Sequence, residues 1–250
     1  MQVGTLQERM KILSHLKSCS VEKVRTVSDS KRNFHTYHTR PINSVYRRVV
    51  EELLVELHLL SVNADFRYDP IYAVGVITSF ERFMQGYRPE QDKSSIFTGI
   101  CRSVGADPEQ YRRDAESLIA AAKGLSLDSF ISNSAGDNQI VSTLNAIASE
   151  GQFKYSRLFA IGLYTLLAEA DPSITQEKEK RDQVLAKIAE KLHLPGEKMQ
   201  KDLDIYRGNL DKMDQLLTVI EDALEAERKK RLQKEQEKQE AEAKNHSSFA

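Results

Sequence analysis

Three Asp-Pro pairs, at Asp69-Pro70, Asp107-Pro108 and Asp171-Pro172, constrain this chain more than any other feature of its sequence. An aspartate just ahead of a helix accepts hydrogen bonds from the free amides of the first turn, and a proline at the first helical position sacrifices no hydrogen bond. Matching stops stand at Gly86, Gly105, Gly124 and Gly151, where a residue without Cβ takes the left-handed conformation that closes a helix. Starts alternate with stops, as they do in a succession of helices.

Between these marks the apolar period is helical. Ile42, Val45, Val49, Leu53, Leu57 and Leu60 advance by threes and fours along one face, the pattern of one long buried helix. The same reasoning places helices near 70–85, 92–104, 108–123, 138–150, 153–169 and 174–193. No run of alternating β-branched residues with a hairpin turn competes with this reading. The expected fold class is all-α: a helical bundle over residues 26–193, then a long C-terminal coiled-coil-like helix and a charged tail.

That long helix is read from a heptad of Met199, Leu203, Tyr206, Leu210, Met213, Leu217, Ile220 and Leu224, with spacings of four and three over residues 194–224. An apolar side chain is worth about 1.5 to 3 kcal/mol when fully buried, so such a stripe must meet the chain's own body, a second copy or a partner. Leu210 and Leu217, in its middle, are candidate docking residues. Residues 225–250 form the tail; as far as 244 it carries Lys, Arg, Glu, Gln and Ala with only Leu232 to bury, so it is either a solvated helix or disordered. Residues 1–25 form an N-terminal extension, a short amphipathic helix on Leu6, Met10, Leu13 and Leu16 or a disordered start.

Composition excludes several classes of function. Hydrophobic residues make up 40% of the chain, enough for a core over part of its length, while a net charge of -1 argues against a protein that coats nucleic acid. The two cysteines, Cys19 and Cys101, lie far apart and outside any CxxC spacing, which suggests neither a disulfide framework nor a zinc knuckle. The longest apolar stretches, 70–80 and 158–168, fall short of the roughly 20 residues that a membrane span needs. The first twenty residues lack a secretory core and are not Arg-rich, so no targeting peptide is expected.

Catalytic and metal motifs were sought without success. His35 and His38 stand three apart, but two ligands do not make a site. A di-iron bundle needs Glu-x-x-His, and Val55 occupies the place three before His58. Glu51, Glu52 and Glu56 resemble paired carboxylates, yet Arg47 and Arg48 lie four before Glu51 and Glu52, as in solvated helix pairs. No GxxxxGK[ST], GxGxxG or GxSxG occurs. No catalytic residue, metal or cofactor is therefore assigned.

Residues 23–48 hold seven Lys or Arg against the single acid Asp29, with Phe34, Tyr37 and Tyr46 interleaved. Such a segment is most simply a solvated helix face; otherwise it suits an acidic protein surface or anionic lipid, and least of all nucleic acid. Lys31, Arg32 and Arg40 are its candidate contact residues. Two turns, NADFRYDP and GYRPE, also present Arg and Tyr. Phe66 and Tyr68 are expected to buttress the fold, and Arg88 to make contacts.

The motifs TVSDSKR, HTRPINSVYRR, EELLVELHLLSVN, YDPIYAVGVITSFERFMQGYRPE and IFTGIC, which fall between residues 26 and 101, carry a specific resemblance to the thylakoid-formation family of cyanobacteria and chloroplasts. It extends more weakly through Asp107-Pro108 to the charged tail, and the first 24 residues look like an addition to the usual start. The resemblance implies a helical, non-enzymatic accessory protein of photosynthetic membrane biogenesis, tied to photosystem II assembly or repair and to membrane-bound FtsH-type proteases. It implies a peripheral place on the cytoplasmic side of the thylakoid membrane, or the cytoplasm, in a cyanobacterial type without transit peptide. A remodeller of the membrane surface that binds anionic lipid is the alternative.

Overall fold

A computed structural model describes residues 25–132 and 138–247, with residues 237–247 described for their backbone alone. The helix expected on Leu6 to Leu16 lies outside the described residues. Among those described there are ten α-helices and no strand. They are α1 (Val27–Tyr37), α2 (Ser44–Ser61), α3 (Pro70–Phe83), α4 (Asp92–Ser103), α5 (Pro108–Ala122), α6 (Leu127–Ile131), α7 (Gln139–Ser149), α8 (Arg157–Ala170), α9 (Lys178–Lys191) and α10 (Gly196–Ser247).

The Asp-Pro pairs open α3 and α5 as expected. Asp69 Oδ1 accepts from the Tyr72 amide at 2.8 Å, and Asp107 Oδ1 from that of Glu109 at 3.3 Å. The third pair behaves differently. Asp171 caps only a 3-10 turn, Pro172–Thr175, and the helix expected from residue 174 begins at Lys178. The helix expected from 153 likewise starts later, at Arg157, because Ser156 Oγ accepts from the Phe159 amide at 3.0 Å and sets the boundary. All four predicted stop glycines adopt positive φ, between 65° and 81°.

Two helices were not anticipated, α1 and the five-residue α6. The signal for α1 was present: Thr26 Oγ1 accepts from the Asp29 amide at 3.2 Å while the Thr26 amide donates to Asp29 Oδ2 at 3.0 Å, a capping box.

The centre of the bundle is the α3–α8 pair. Residues 71–80 and 158–167 are buried throughout, so neither helix retains a solvent face and both read as almost unbroken apolar runs. Around this pair α5 packs on α3 and the start of α10 on α8, while α1 packs on α4 and α9 on the start of α10. A Cβ at Gly75 would overlap the Leu158 carbonyl, and one at Gly162 that of Ile71, so the two backbones are in direct contact at their crossing.

The heptad of α10 first serves this body. Met199, Leu203, Tyr206 and Met213 are buried, and Leu210 and Leu217 are partly buried against the same core. Polar contacts reinforce the attachment: Tyr155 donates to Asp202 at 2.7 Å, Arg181, fully buried, to Asp204 at 2.9 Å, and Arg207 to the Thr175 carbonyl at 3.0 Å. Beyond Leu217 the helix leaves the body. Ile220 and Leu224, the last heptad positions, are exposed, and the helix continues unbroken to Ser247.

Candidate docking surface

Where α10 leaves the bundle it stands away from α2, and an elongated cleft of ≈ 380 Å³ opens between them. Val45, Val49 and Leu53, one face of α2, form one wall; Tyr206, Met213 and Leu216 of α10 form the other. Phe83 from the end of α3, with Leu158 and Ile161 of α8, makes the floor. The spacing explains the arrangement, because steps of three and four keep these side chains on one face of each helix.

The rim is charged, and two of its cations are paired. Arg48 donates to Glu52 at 2.7 Å and Arg157 to Glu56 at 2.6 Å, while Lys212 stands at the α10 edge. Two buried hydroxyls line the cleft with no hydrogen-bond partner, Ser79 Oγ and Tyr206 OH. Burial pushes the Tyr206 phenol up to about 12, so it stays a neutral donor at physiological pH. A mostly apolar cleft with two convergent polar groups is the usual form of a binding site.

The basic segment is partly paired with acids while its side chains stay exposed. Lys31 meets Glu51 at 3.6 Å, Arg32 meets Asp29 at 3.7 Å, and Arg40 meets the largely buried Asp92 at 3.0 Å. Arg25 donates to the Ser103 carbonyl at 3.1 Å and Arg47 to that of Ile42 at 3.5 Å, while Lys23 lies outside the described residues. Acids from α1, α2 and α4 thus face Lys31, Arg32, Arg40 and Arg48. Arg88 pairs with Glu90 at 3.3 Å on the α3–α4 connection. Of the six candidate residues, Lys31 and Arg40 line one groove between α1 and α2, Arg32 lies on α1, Arg88 on the α3–α4 connection, and Leu210 and Leu217 on α10.

The histidines are structural in their contacts. His38 Nδ1 lies 2.9 Å from Ser95 Oγ, and His58 Nδ1 lies 2.9 Å from Ser30 Oγ. Burial holds both imidazoles below their ordinary value, whereas His35 sits exposed at the edge of Phe34. Among the described residues no three His, Cys, Asp or Glu side chains converge on a possible metal site. Tyr68 donates to Asp114 at 2.6 Å and packs on Tyr72 and Tyr111, the buttressing role expected of it. Cys101 is buried, and burial pushes its thiol up to about 12.

Sequence reasoning missed the cleft itself. Tyr206 was legible only as a heptad position, and Ser79, a single hydroxyl within an apolar run, gave no signal.

Fold and surface together define a class: an all-α protein with an apolar cleft beside a projecting helix. Comparison with known proteins assigns it further. The sequence model of the thylakoid formation protein family matches residues 26–235, and the chain belongs to that family. It is 66% identical over 220 residues to Protein Thf1 of Gloeothece citriformis, covering 85% of this chain and 97% of the relative. To Protein Thf1 of a Synechocystis species it is 54% identical over 214 residues, or 84% and 89% of the two chains. The solved structure of Psb29 superposes with a TM-score of 0.67 at 44% identity, over 76% of this chain and 98% of that one. Among the described residues no helix is long and apolar enough to cross a membrane.

Proposed function

We propose that the chain is a non-catalytic accessory protein of thylakoid biogenesis that serves photosystem II assembly or repair by binding and stabilising a membrane-bound FtsH-type protease complex. It acts peripherally, at the cytoplasmic face of the thylakoid membrane. Family membership supports the thylakoid setting. The observation that carries the docking role is the α2–α10 cleft, whose apolar walls and unpartnered hydroxyls suit a segment of another protein. The anionic-lipid alternative draws less support, since Lys31, Arg32 and Arg40 each already face a carboxylate.

The test is capture by the tagged full chain from solubilised thylakoids, read by mass spectrometry. Subunits of the protease should be retained by the native chain and lost when Val49→Asp and Leu53→Asp fill the cleft wall with charge. Equal retention by both would remove the cleft from the docking surface. Replacing Lys31, Arg32 and Arg40 by glutamate tests the basic segment: binding weakened most at low salt assigns it a contact role, and unchanged binding at every salt returns it to a solvated face.

A further inference from the structure

We infer that the groove between α1 and α2 is a binding site for a phosphomonoester, a doubly charged anion carried on a small apolar body. This goes beyond the accessory role, and the groove shares no residue with the α2–α10 cleft.

The groove has a volume of ≈ 340 Å³. Lys31, Phe34 and His35 line it from α1, and Arg47, Val50 and Glu51 from α2, at the three- and four-residue spacings that keep side chains on one side of a helix. Residues 39–42 of the connection complete the lining.

The charges along it are unevenly placed. Lys31 and Glu51 meet across the groove at 3.6 Å. One turn nearer the connection on each helix stand His35 and Arg47, and Arg40 follows in the connection itself. Glu51 is the single carboxylate among the described residues of the lining, and it faces Lys31. Arg47, four residues before Glu51, has no ion pair among the described residues and reaches only the Ile42 carbonyl, at 3.5 Å.

Arg40 is held from outside the groove. Asp92, with its side chain 9% exposed, accepts from Nη1 at 3.0 Å and so orients a guanidinium that is itself 63% exposed. Burial holds the neighbouring His38 imidazole below its ordinary value, and the charges of Asp92, Arg40 and His35 act on it as well, so Arg40 and His35 both lie near it.

The end of the groove at the connection thus gathers N–H donors from three segments without an acid, which suits an anion. A carboxylate has two oxygens, enough for one guanidinium fork. A phosphomonoester has three terminal oxygens and about two charges at neutral pH, enough for two arginines and an imidazole. Phe34, Ile42 and Val50 beside them suit an apolar body rather than a further charge. A membrane surface fits less well, because the basic groups line a concavity and a phospholipid diester carries a single charge.

Isothermal titration calorimetry on the purified full chain at low salt tests this with phenyl phosphate, inorganic phosphate and benzoate, and flotation tests phosphatidylglycerol vesicles. Phenyl phosphate should bind saturably at one site per chain. It should bind more tightly than inorganic phosphate, which lacks the apolar body, and than benzoate, which lacks the second charge. Arg47→Gln should weaken it about tenfold, as should Arg40→Lys, which keeps a cation beside Asp92 but loses the fork. Arg32→Gln, on α1 but outside the groove, should leave the affinity unchanged, and melting curves establish that each variant folds. Absence of saturable phenyl phosphate binding overturns the inference, as does an affinity that Arg47→Gln and Arg40→Lys leave unmoved. Benzoate bound as tightly as phenyl phosphate would make this a carboxylate site, and inorganic phosphate bound as tightly would leave the apolar body no part; either overturns the assignment. Vesicle binding that is lost with the same substitutions, while phenyl phosphate stays unbound, overturns it in favour of a membrane contact. Protease capture is read through Val49→Asp and Leu53→Asp in the other cleft, so failure of one conclusion is not failure of the other.

Discussion

Gly75 and Gly162 occupy each other's side-chain space where α3 crosses α8: a Cβ on Gly75 would lie 2.9 Å from the Gly162 amide nitrogen, and a Cβ on Gly162 would lie 2.9 Å from that of Gly75. Contacts this short involve backbone, which cannot rotate aside as a side chain does. The crossing therefore holds the two buried helices at minimum separation, and every outer helix is placed relative to that pair.

Gly75→Ala and Gly162→Ala should each lower stability by about 3 kcal/mol or more, at or beyond the upper end of overpacking costs. Gly208→Ala is the contrast. A Cβ there meets nothing within 4 Å inside α10, so it should stabilise by up to about 1 kcal/mol through helix propensity. Urea denaturation of the three variants measures both effects.

Asp69 caps α3 from a buried position, and burial raises its carboxyl from 3.8 to about 7. The folded state keeps this proton to about pH 7, whereas the unfolded chain releases it near its ordinary value. Folding thus takes up a proton between those limits, and the residue's contribution to stability falls as pH rises through the window. Asn caps a helix as well as Asp does and does not titrate. The melting temperature of Asp69→Asn relative to the native protein should therefore rise steadily from pH 4 to pH 7 and level off above. A difference that stays flat across this range would contradict the assignment.

The tail contributes little to the fold. Beyond Leu224 the side chains described are exposed, with only Leu232 as a large apolar residue, so ordering entropy has little to offset it. Truncation after Ala226 should leave the melting temperature of the body nearly unchanged in calorimetry.

The α10 heptad divides into two halves with different consequences. Leu210 and Leu217 pack against the core, so their joint replacement by aspartate should lower the stability of the fold by about 2 kcal/mol or more. Ile220→Asp with Leu224→Asp, at exposed positions, should leave the melting temperature of the body in place. Thermal melts followed by circular dichroism on the two pairs separate the outcomes.

Much of this architecture could be read along the chain because its determinants are local. Asp69-Pro70 and Asp107-Pro108 mark helix starts through bonds to amides two or three residues away, and the stop glycines act through their own φ. The continuous heptad marked α10 as a helix with an apolar side. What the sequence could not decide was which partner each apolar or charged residue would meet. Lys31, Arg32 and Arg40 looked like a cationic surface because Glu51 and Asp92, which face Lys31 and Arg40, are distant in sequence. Ser79 and Tyr206 come together in one cleft from helices more than a hundred residues apart. Local chemistry determined the helices, whereas long-range packing about the Gly75–Gly162 crossing decided which surfaces were covered and where the cleft and free stripe were left.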